Sequence, residues 1–183
     1  MEQIYFNTTN DTKIKEIKEI FAGGTMEKEF LRYSIAEVLS HDIEEVIKAK
    51  AAEAYEKCRV PIVVEHGALY IEYLNYFPGP LSKPMWDLMN EKICKLIPDN
   101  ESRKAKARSA VCFCNGKKRY VFIGETEGSI STIGKGSNGF QWDPIFIPHS
   151  STKTYAEMDQ TEKLKFSQAA KAYEQLKVFL KTI

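Results

Sequence analysis

The stretch from Val64 to Trp86, VEHGALYIEYLNYFPGPLSKPMW, constrains this chain more than any other. It leaves a short apolar strand, Ile62-Val63-Val64, places Glu65 and His66 at that strand's end, and turns through Pro78-Gly79-Pro80 to Lys83. In α/β proteins the carboxyl ends of strands form the floor of the ligand crevice. A carboxylate, an imidazole and a lysine brought to such a place look like a site. For Glu65 and His66 taken alone, a solvated turn is the competing reading.

The chain has 183 residues, which points to one domain spanning 1–183, with room for two lobes and a sizeable core. Hydrophobic residues make up 43% and charged residues 28%, the balance of an ordinary soluble globular protein. The formal net charge is +1, so nothing electrostatic marks nucleic acid or a membrane as the principal partner. The basic run Arg103-Lys104-Ala105-Lys106-Ala107-Arg108 reads as a solvated strand entry. MEQIYFNTTN lacks the basic-then-apolar order of a secretory signal, and no apolar run approaches the roughly 20 residues of a membrane span, so a cytoplasmic location is expected. Cys58, Cys94, Cys112 and Cys114 have no metal-site spacing and read as buried, reduced thiols.

Taken in order, Gln3 to Asn7 alternates as a first strand. Thr8-Thr9-Asn10-Asp11 then supplies cap residues for a helix carrying Ile14, Ile17, Ile20 and Phe21. A strand running straight into a helix N-terminus offers unpaired N–H groups to an anion. Asn10 and Lys13 lie in that first turn, where plain capping and solvation account for them equally well. Glu29 to Tyr33 reads as a second strand, and Asp42 opens a helix to about Lys57 with Lys50 on it. Met85 to Ile97 reads as one helix whose apolar stripe is packing. Lys106 to Cys114 and Arg119 to Ile123 are strands joined by the turn signal Asn115-Gly116, and Gly124 to Ser131 is a further strand. Thr161 to about Lys181 is the last helix. Strand–helix alternation followed by a hairpin implies a mixed α/β sheet with helices on its faces.

The second informative stretch is GKGSNGFQWDPIFIP, Gly134 to Pro148. Its glycines make a mobile loop, and Phe140 and Trp142 read as exposed aromatics around Asp143. Such a loop suits stacking on a flat base, with the carboxylate accepting hydrogen bonds from a base edge or a ribose. A hydrophobic plug at the sheet end is the alternative.

From Thr8 to Ser167 these motifs resemble, in order and spacing, the inosine triphosphate pyrophosphatase family of noncanonical purine nucleotide enzymes. Thr8, Asn10 and Lys13 match its phosphate turn T-x-N-x-x-K. Lys50 has the spacing of its substrate lysine, and the strand and loop V-E-D-[ST]-x-L…P-G-P corresponds to the stretch from Val64 to Pro80. Gly139, Phe140, Trp142, Asp143, Pro144 and Phe146 match its base-pocket motif G-F-G-[YW]-D-P-x-F, with Gln141 in place of a glycine. Thr154-Tyr155-Ala156-Glu157-Met158 and Glu162-Lys163 follow, with Lys163 toward the nucleotide. The resemblance implies a strongly twisted mixed sheet flanked by helices, with a nucleotide cleft between two lobes.

The departures matter as much. His66 replaces the family's catalytic aspartate, and Gln168-Ala169 replaces the His-Arg pair that reads the purine. The family splits a nucleoside triphosphate into a monophosphate and pyrophosphate, with carboxylates holding magnesium and one of them helping to activate water. Glu37 and Glu65 are then the candidate ligands of Mg2+ accompanying the nucleotide, and His66 and Glu65 the candidate catalytic groups. Thr8, Asn10, Lys13, Lys50, Lys83, Phe140, Trp142, Asp143, Lys163 and Gln168 are the candidate nucleotide contacts. An imidazole is a poor magnesium ligand and lacks the aspartate's charge. Two functions are expected from the resemblance. One is a catalytically impaired sensor of a triphosphate such as dITP, ITP or XTP, acting with an effector protein as some members do in anti-phage defence. The other is a working house-cleaning pyrophosphatase in which Glu37, Glu65 or His66 carries the metal and base roles. The family usually forms homodimers, and the apolar face of residues 83–97 could serve a second copy or an effector.

Overall fold

The alternation that begins at Ile62 does not stop at Val64. Gly67-Ala68-Leu69-Tyr70-Ile71 continues it, and in the computed structural model, which describes residues 3–183, Ile62–Ile71 is a single strand. The first two positions of the amino-terminal segment read above for a signal lie outside the described residues. In chain order the elements are β1 (Gln3–Asn7), α1 (Asp11–Ile20), β2 (Glu27–Leu31), α2 (Ile43–Cys58), β3 (Ile62–Ile71), β4 (Pro78–Gly79), α3 (Ser82–Met89), β5 (Lys104–Cys114), β6 (Arg119–Ile130), β7 (Phe146–Pro148), α4 (Gln160–Phe166) and α5 (Gln168–Leu180). The sheet order is β2-β1-β3-β5-β6-β7, with β4 also paired to β3. β1 runs parallel to β2 and β3, whereas β3, β5, β6 and β7 pair antiparallel. This is the mixed α/β sheet with flanking helices that the sequence pattern implied, curled as the family resemblance implied.

Along one edge β3 is paired with β5 from Ile62↔Cys114 to Ile71↔Ala105. Along the other it meets β1 at Ile62 and Val63 and β4 at Leu69 and Tyr70. Among the described residues, 64–68 therefore have no strand neighbour on that edge. Glu65 and His66 lie in mid-strand, not at its end. What opens the crevice is the end of β1, not the end of β3.

Successive β3 residues face opposite sides. Ile62, Val64 and Ala68 pack with Ile43, Ile47, Ala51 and Ala54 of α2. Val63 packs on the other face with Phe6, Ile17 of α1 and Tyr173 and Leu176 of α5. Farther along that face, Leu69 and Ile71 enter a third cluster with Met85, Ile93, Trp142, Phe146 and Tyr155. The four cysteines are free, and burial pushes the Cys112 thiol up to about 12.

Several boundaries differ from the sequence expectation. The second strand is Glu27–Leu31, paired throughout with β1. Arg119 to Ile130 is one strand, because β5 offers pairing over its whole length. The stretch 85–97 is not one helix. Asn90, at φ 51°, ends α3, and Asn90–Leu96 continues as a 3-10 helix. The last helix breaks at Ser167, whose extended backbone ends α4 and whose side chain accepts the Ala170 N–H to cap α5. Arg103 is no solvated entry residue. Its guanidinium donates to the carbonyls of Cys94, Ile97, Ile130 and Ser131 and ties the 90–97 segment to the sheet. No helix of the described residues is long and apolar enough to cross a membrane.

α5 approaches β6 so closely that a Cβ built on Gly124 would lie 1.9 Å from the carbonyl oxygen of Gln168. Gly124→Ala is expected to push α5 off the sheet and destabilise the chain by about 1–3 kcal/mol. That is a fall of roughly 2–4 °C in Tm per kcal/mol for a chain this size, measured by thermal unfolding. Gly24→Ala, where a Cβ meets the Phe21 carbonyl oxygen at 3.6 Å, is the control and should shift Tm little.

Candidate functional site

Where β1 ends, Asn10 turns the chain into α1. Its Oδ1 accepts the N–H groups of Thr12 and Lys13, while Thr8 Oγ1 accepts the N–H of Asn10. Asn7 fastens the neighbouring segment to this turn: its Nδ2 donates to the Tyr33 carbonyl and its Oδ1 accepts the Tyr33 N–H. Between this turn and the unpaired edge of β3 lies a cleft of about 460 Å³. Thr8, Asn10, Lys13, Glu37, Lys50, Glu65, His66 and Lys83 all line it, as do Asp87, Gln141 and Tyr173.

β3 divides the cleft's charged groups into two sets. On the α1 side, Glu65 Oε1 is 3.3 Å from Lys13 Nζ and accepts a hydrogen bond from Ser109 Oγ at 3.1 Å. On the α2 side, Glu37 Oε1 is 2.7 Å from Lys50 Nζ and 3.6 Å from His66 Nδ1. The His66 imidazole and the Lys50 ammonium hold the Glu37 carboxyl well below the usual carboxylate range, against the burial that would raise it. Burial works on Lys50 in the opposite sense and lowers its pKa. His66 is buried, and its Nε2 lies 2.9 Å from the Pro80 carbonyl oxygen. A carbonyl only accepts, so Nε2 donates to Pro80, and Nδ1 is the ring atom facing Glu37, where it favours the carboxylate only when it too carries a proton. Lys83, at the start of α3, reaches Asp87 at 2.6 Å, exposed at the cleft's mouth.

The second group of sequence candidates gathers next door. Lys163 is buried, with Nζ 2.8 Å from both Glu16 and Asp143. Burial works against its charge, but the two carboxylates outweigh it and hold its pKa above the ordinary lysine value. Phe140 lies over this pair of lysines, 5.2 Å from Lys163 Nζ and 5.7 Å from Lys13 Nζ. Gln168 is buried, with Oε1 accepting from Tyr155 Oη at 3.1 Å. The cavity these residues share is only about 20 Å³, room for about one water and not for a purine. Trp142 is not an exposed loop aromatic. It is buried against Phe146 and Tyr155, and so acts as the plug at the sheet end. Gly139, at φ +80°, lets the loop close so tightly that a Cβ there would meet Asp143 Oδ2 at 2.0 Å.

The Ham1 family pattern matches residues 4–179. The chain belongs to this family. A dITP/XTP pyrophosphatase of Methanopyrus kandleri is 38% identical over 174 residues, covering 94% of this chain and 93% of the relative. One from Saccharolobus solfataricus is 36% identical over 176 residues, covering 96% and 92%. The solved structure of a HAM1 protein from Coxiella burnetii superposes with a TM-score of 0.84 at 26% identity over 100% of both chains.

Against the magnesium that the family resemblance implies, this donor set is a poor match. Glu65 points from β3 toward Lys13 while Glu37, from the loop before α2, meets Lys50 on the side of His66, so each carboxylate is already joined by an ammonium. The position between them holds an imidazole whose Nε2–H is spent on Pro80. Magnesium asks for hard oxygen donors in near-octahedral array. Among the described residues no three His, Cys, Asp or Glu side chains come together as a metal-holding group.

Sequence reasoning missed four contributors. Glu16 lies on the inward side of α1, between Ile14 and Ile17, where a carboxylate must find a partner. Ser109 interrupts an apolar strand beside Glu65, and Tyr173 reaches the cleft floor from α5. Gln141 is held at φ 51°, the left-handed region that favours the glycine of the family motif, and it lines both cavities. The first three were available as polar residues at core-periodic positions.

Removing the central ammonium tests the Glu16–Lys163–Asp143 cluster. In Lys163→Met two buried carboxylates face one another unpaired, and a loss of about 3–5 kcal/mol at neutral pH is expected. Burial already pushes Glu16 up and Lys163 opposes it, so in the variant the folded pKa of Glu16 rises further above its unfolded value. This site's contribution to the variant's stability is then fully present at low pH and is lost as pH rises through the raised value. Urea unfolding should therefore show the deficit shrinking from pH 7 to about pH 5.

Proposed function

We propose that this chain binds a noncanonical purine nucleoside triphosphate of the dITP, ITP or XTP type and hydrolyses it poorly if at all, serving as a nucleotide sensor for an effector protein. The observation that carries this reading is His66. At the position where the resembling motif has an aspartate, a buried imidazole is tied through Nε2 to Pro80 and turns Nδ1 toward Glu37. It brings neither a negative charge nor a hard oxygen donor. The groups suited to phosphate remain: Thr8, Asn10 and Lys13 at the helix start, with Lys50 and Lys83 across the cleft. Helix N–H groups and ammonium ions are the ordinary recognition elements for phosphate.

The purine would enter the second cavity, between Phe140 and Trp142, with Asp143, Lys163 and Gln168 within reach. Since that cavity has room for about one water, entry requires the 134–143 loop to move. A loop that must open for the base and close over it gives a sensor its signal. The exposed Leu88 on α3 and Leu96 on the 3-10 segment that follows it are where an effector or a second copy would seat.

Hydrolysis is the second reading, favoured by the pyrophosphatase relatives and by His66 Nδ1, an imidazole nitrogen directed at the cleft. In that case Nδ1 or Glu65 would draw the proton from water, and Glu37 would orient it.

Calorimetric titration of dITP, ITP, XTP and the ordinary triphosphates, run beside an assay of pyrophosphate release, separates the two. Binding of one aberrant triphosphate, with turnover far below the usual 1–10³ s⁻¹ or so, is expected. His66→Asp should raise release by about 10²-fold or more. Turnover in the ordinary range by the unaltered chain would overturn the sensor reading.

A further inference from the structure

We infer that this cleft takes up its triphosphate free of magnesium, with the ammonium groups of Lys13, Lys50 and Lys83 and the start of α1 as the only counter-charge. The inference rests on the triphosphate reading above and departs from what the family resemblance implies for the metal.

Three features of the cleft carry it. Its ammoniums are held ready beside carboxylates, at 3.3 Å for Lys13–Glu65, 2.7 Å for Lys50–Glu37 and 2.6 Å for Lys83–Asp87. A phosphate oxygen arriving at the cleft can share each of them without a metal. At Oε1 of Glu37 a magnesium ion would compete with Lys50, and at Oε1 of Glu65 with Lys13 and Ser109.

The second feature is charge. A carboxylate at position 66 would stand beside Glu37 and the phosphates, and a divalent cation would be needed to offset that crowding of negative charge. The imidazole removes one of the charges, and its Nε2–H is directed to the Pro80 carbonyl, away from Glu37. The reason for a divalent ion weakens with that charge, and a hard oxygen donor beside Glu37 is missing.

The third is the helix start. Asn10 satisfies the N–H groups of Thr12 and Lys13 and leaves that of Asp11 with no partner among the described residues. With the dipole of a ten-residue helix behind it, that N–H offers a further donor beside Lys13.

The test is calorimetry of dITP and ITP into the full chain, once in EDTA and once in excess magnesium, with magnesium chloride alone as a third titrant. The expected result is equal or tighter binding in EDTA and no heat from the metal alone. His66→Asp should reverse the order, losing at least about tenfold in EDTA and recovering with magnesium. Lys50→Gln, which keeps the cleft's shape, should weaken binding in both conditions and flatten its salt dependence. Binding that needs magnesium would overturn the inference and leave the triphosphate reading standing. No binding in either condition would overturn both.

Discussion

The chemistry of this molecule depends on a gap in the pairing of β3. On one side the strand is bonded to β5 for its whole length, which holds it straight and buried. On the other, β1 ends and β4 begins with an interval between them, and there the strand's edge borders the cleft. Because alternate residues face opposite sides, the gap presents Glu65 to α1 and α5 and His66 to α2 at the same height. A ligand in the cleft therefore lies across a strand edge, with one ammonium–carboxylate pair on either side. β1, α1, α2 and α5 are arranged so that Lys13, Lys50 and Tyr173 converge on that interval.

The substitution at position 66 alters how such a cleft can work. A carboxylate there would form, with Glu37, a pair of oxygens suited to a divalent ion. An imidazole anchored to Pro80 instead links β3 to the turn before α3 and leaves Glu37 to Lys50. On the proposed reading binding and catalysis separate, because the lysines and the helix start act on charge alone while bond cleavage needs a placed water and a base. The same separation holds in the adjoining cavity. There Lys163 is neutralised by Glu16 and Asp143, so it contributes rigidity and shape before it contributes charge.

Much of this was legible in the chain. The strand–cap–helix sequence from Gln3 to Ile20 needs only periodicity and the capping chemistry of Asn10, and both are local. Lys50, Glu37 and His66 were each named from sequence, and the fold does bring them together. What could not be read was set at long range. The partner of Lys163 on α1 lies 147 positions away, and nothing near either residue announces the other. Trp142 sits in a glycine-rich, polar stretch that looks exposed, but the φ > 0 glycines fold the loop back and drive the indole into the core. The length of β3 was underestimated because its apolar run stops at Val64 and Glu65 and His66 look like a strand end, whereas β5 supplies pairing straight through them.

The most direct test of a cleft that holds a triphosphate without cleaving it is a crystal structure of the protein grown with dITP. The account predicts one intact nucleotide, its phosphates against Thr8–Lys13 and Lys50, and its base under a displaced Phe140 loop. A monophosphate in that cavity, or a nucleotide seated elsewhere on the surface, would contradict it.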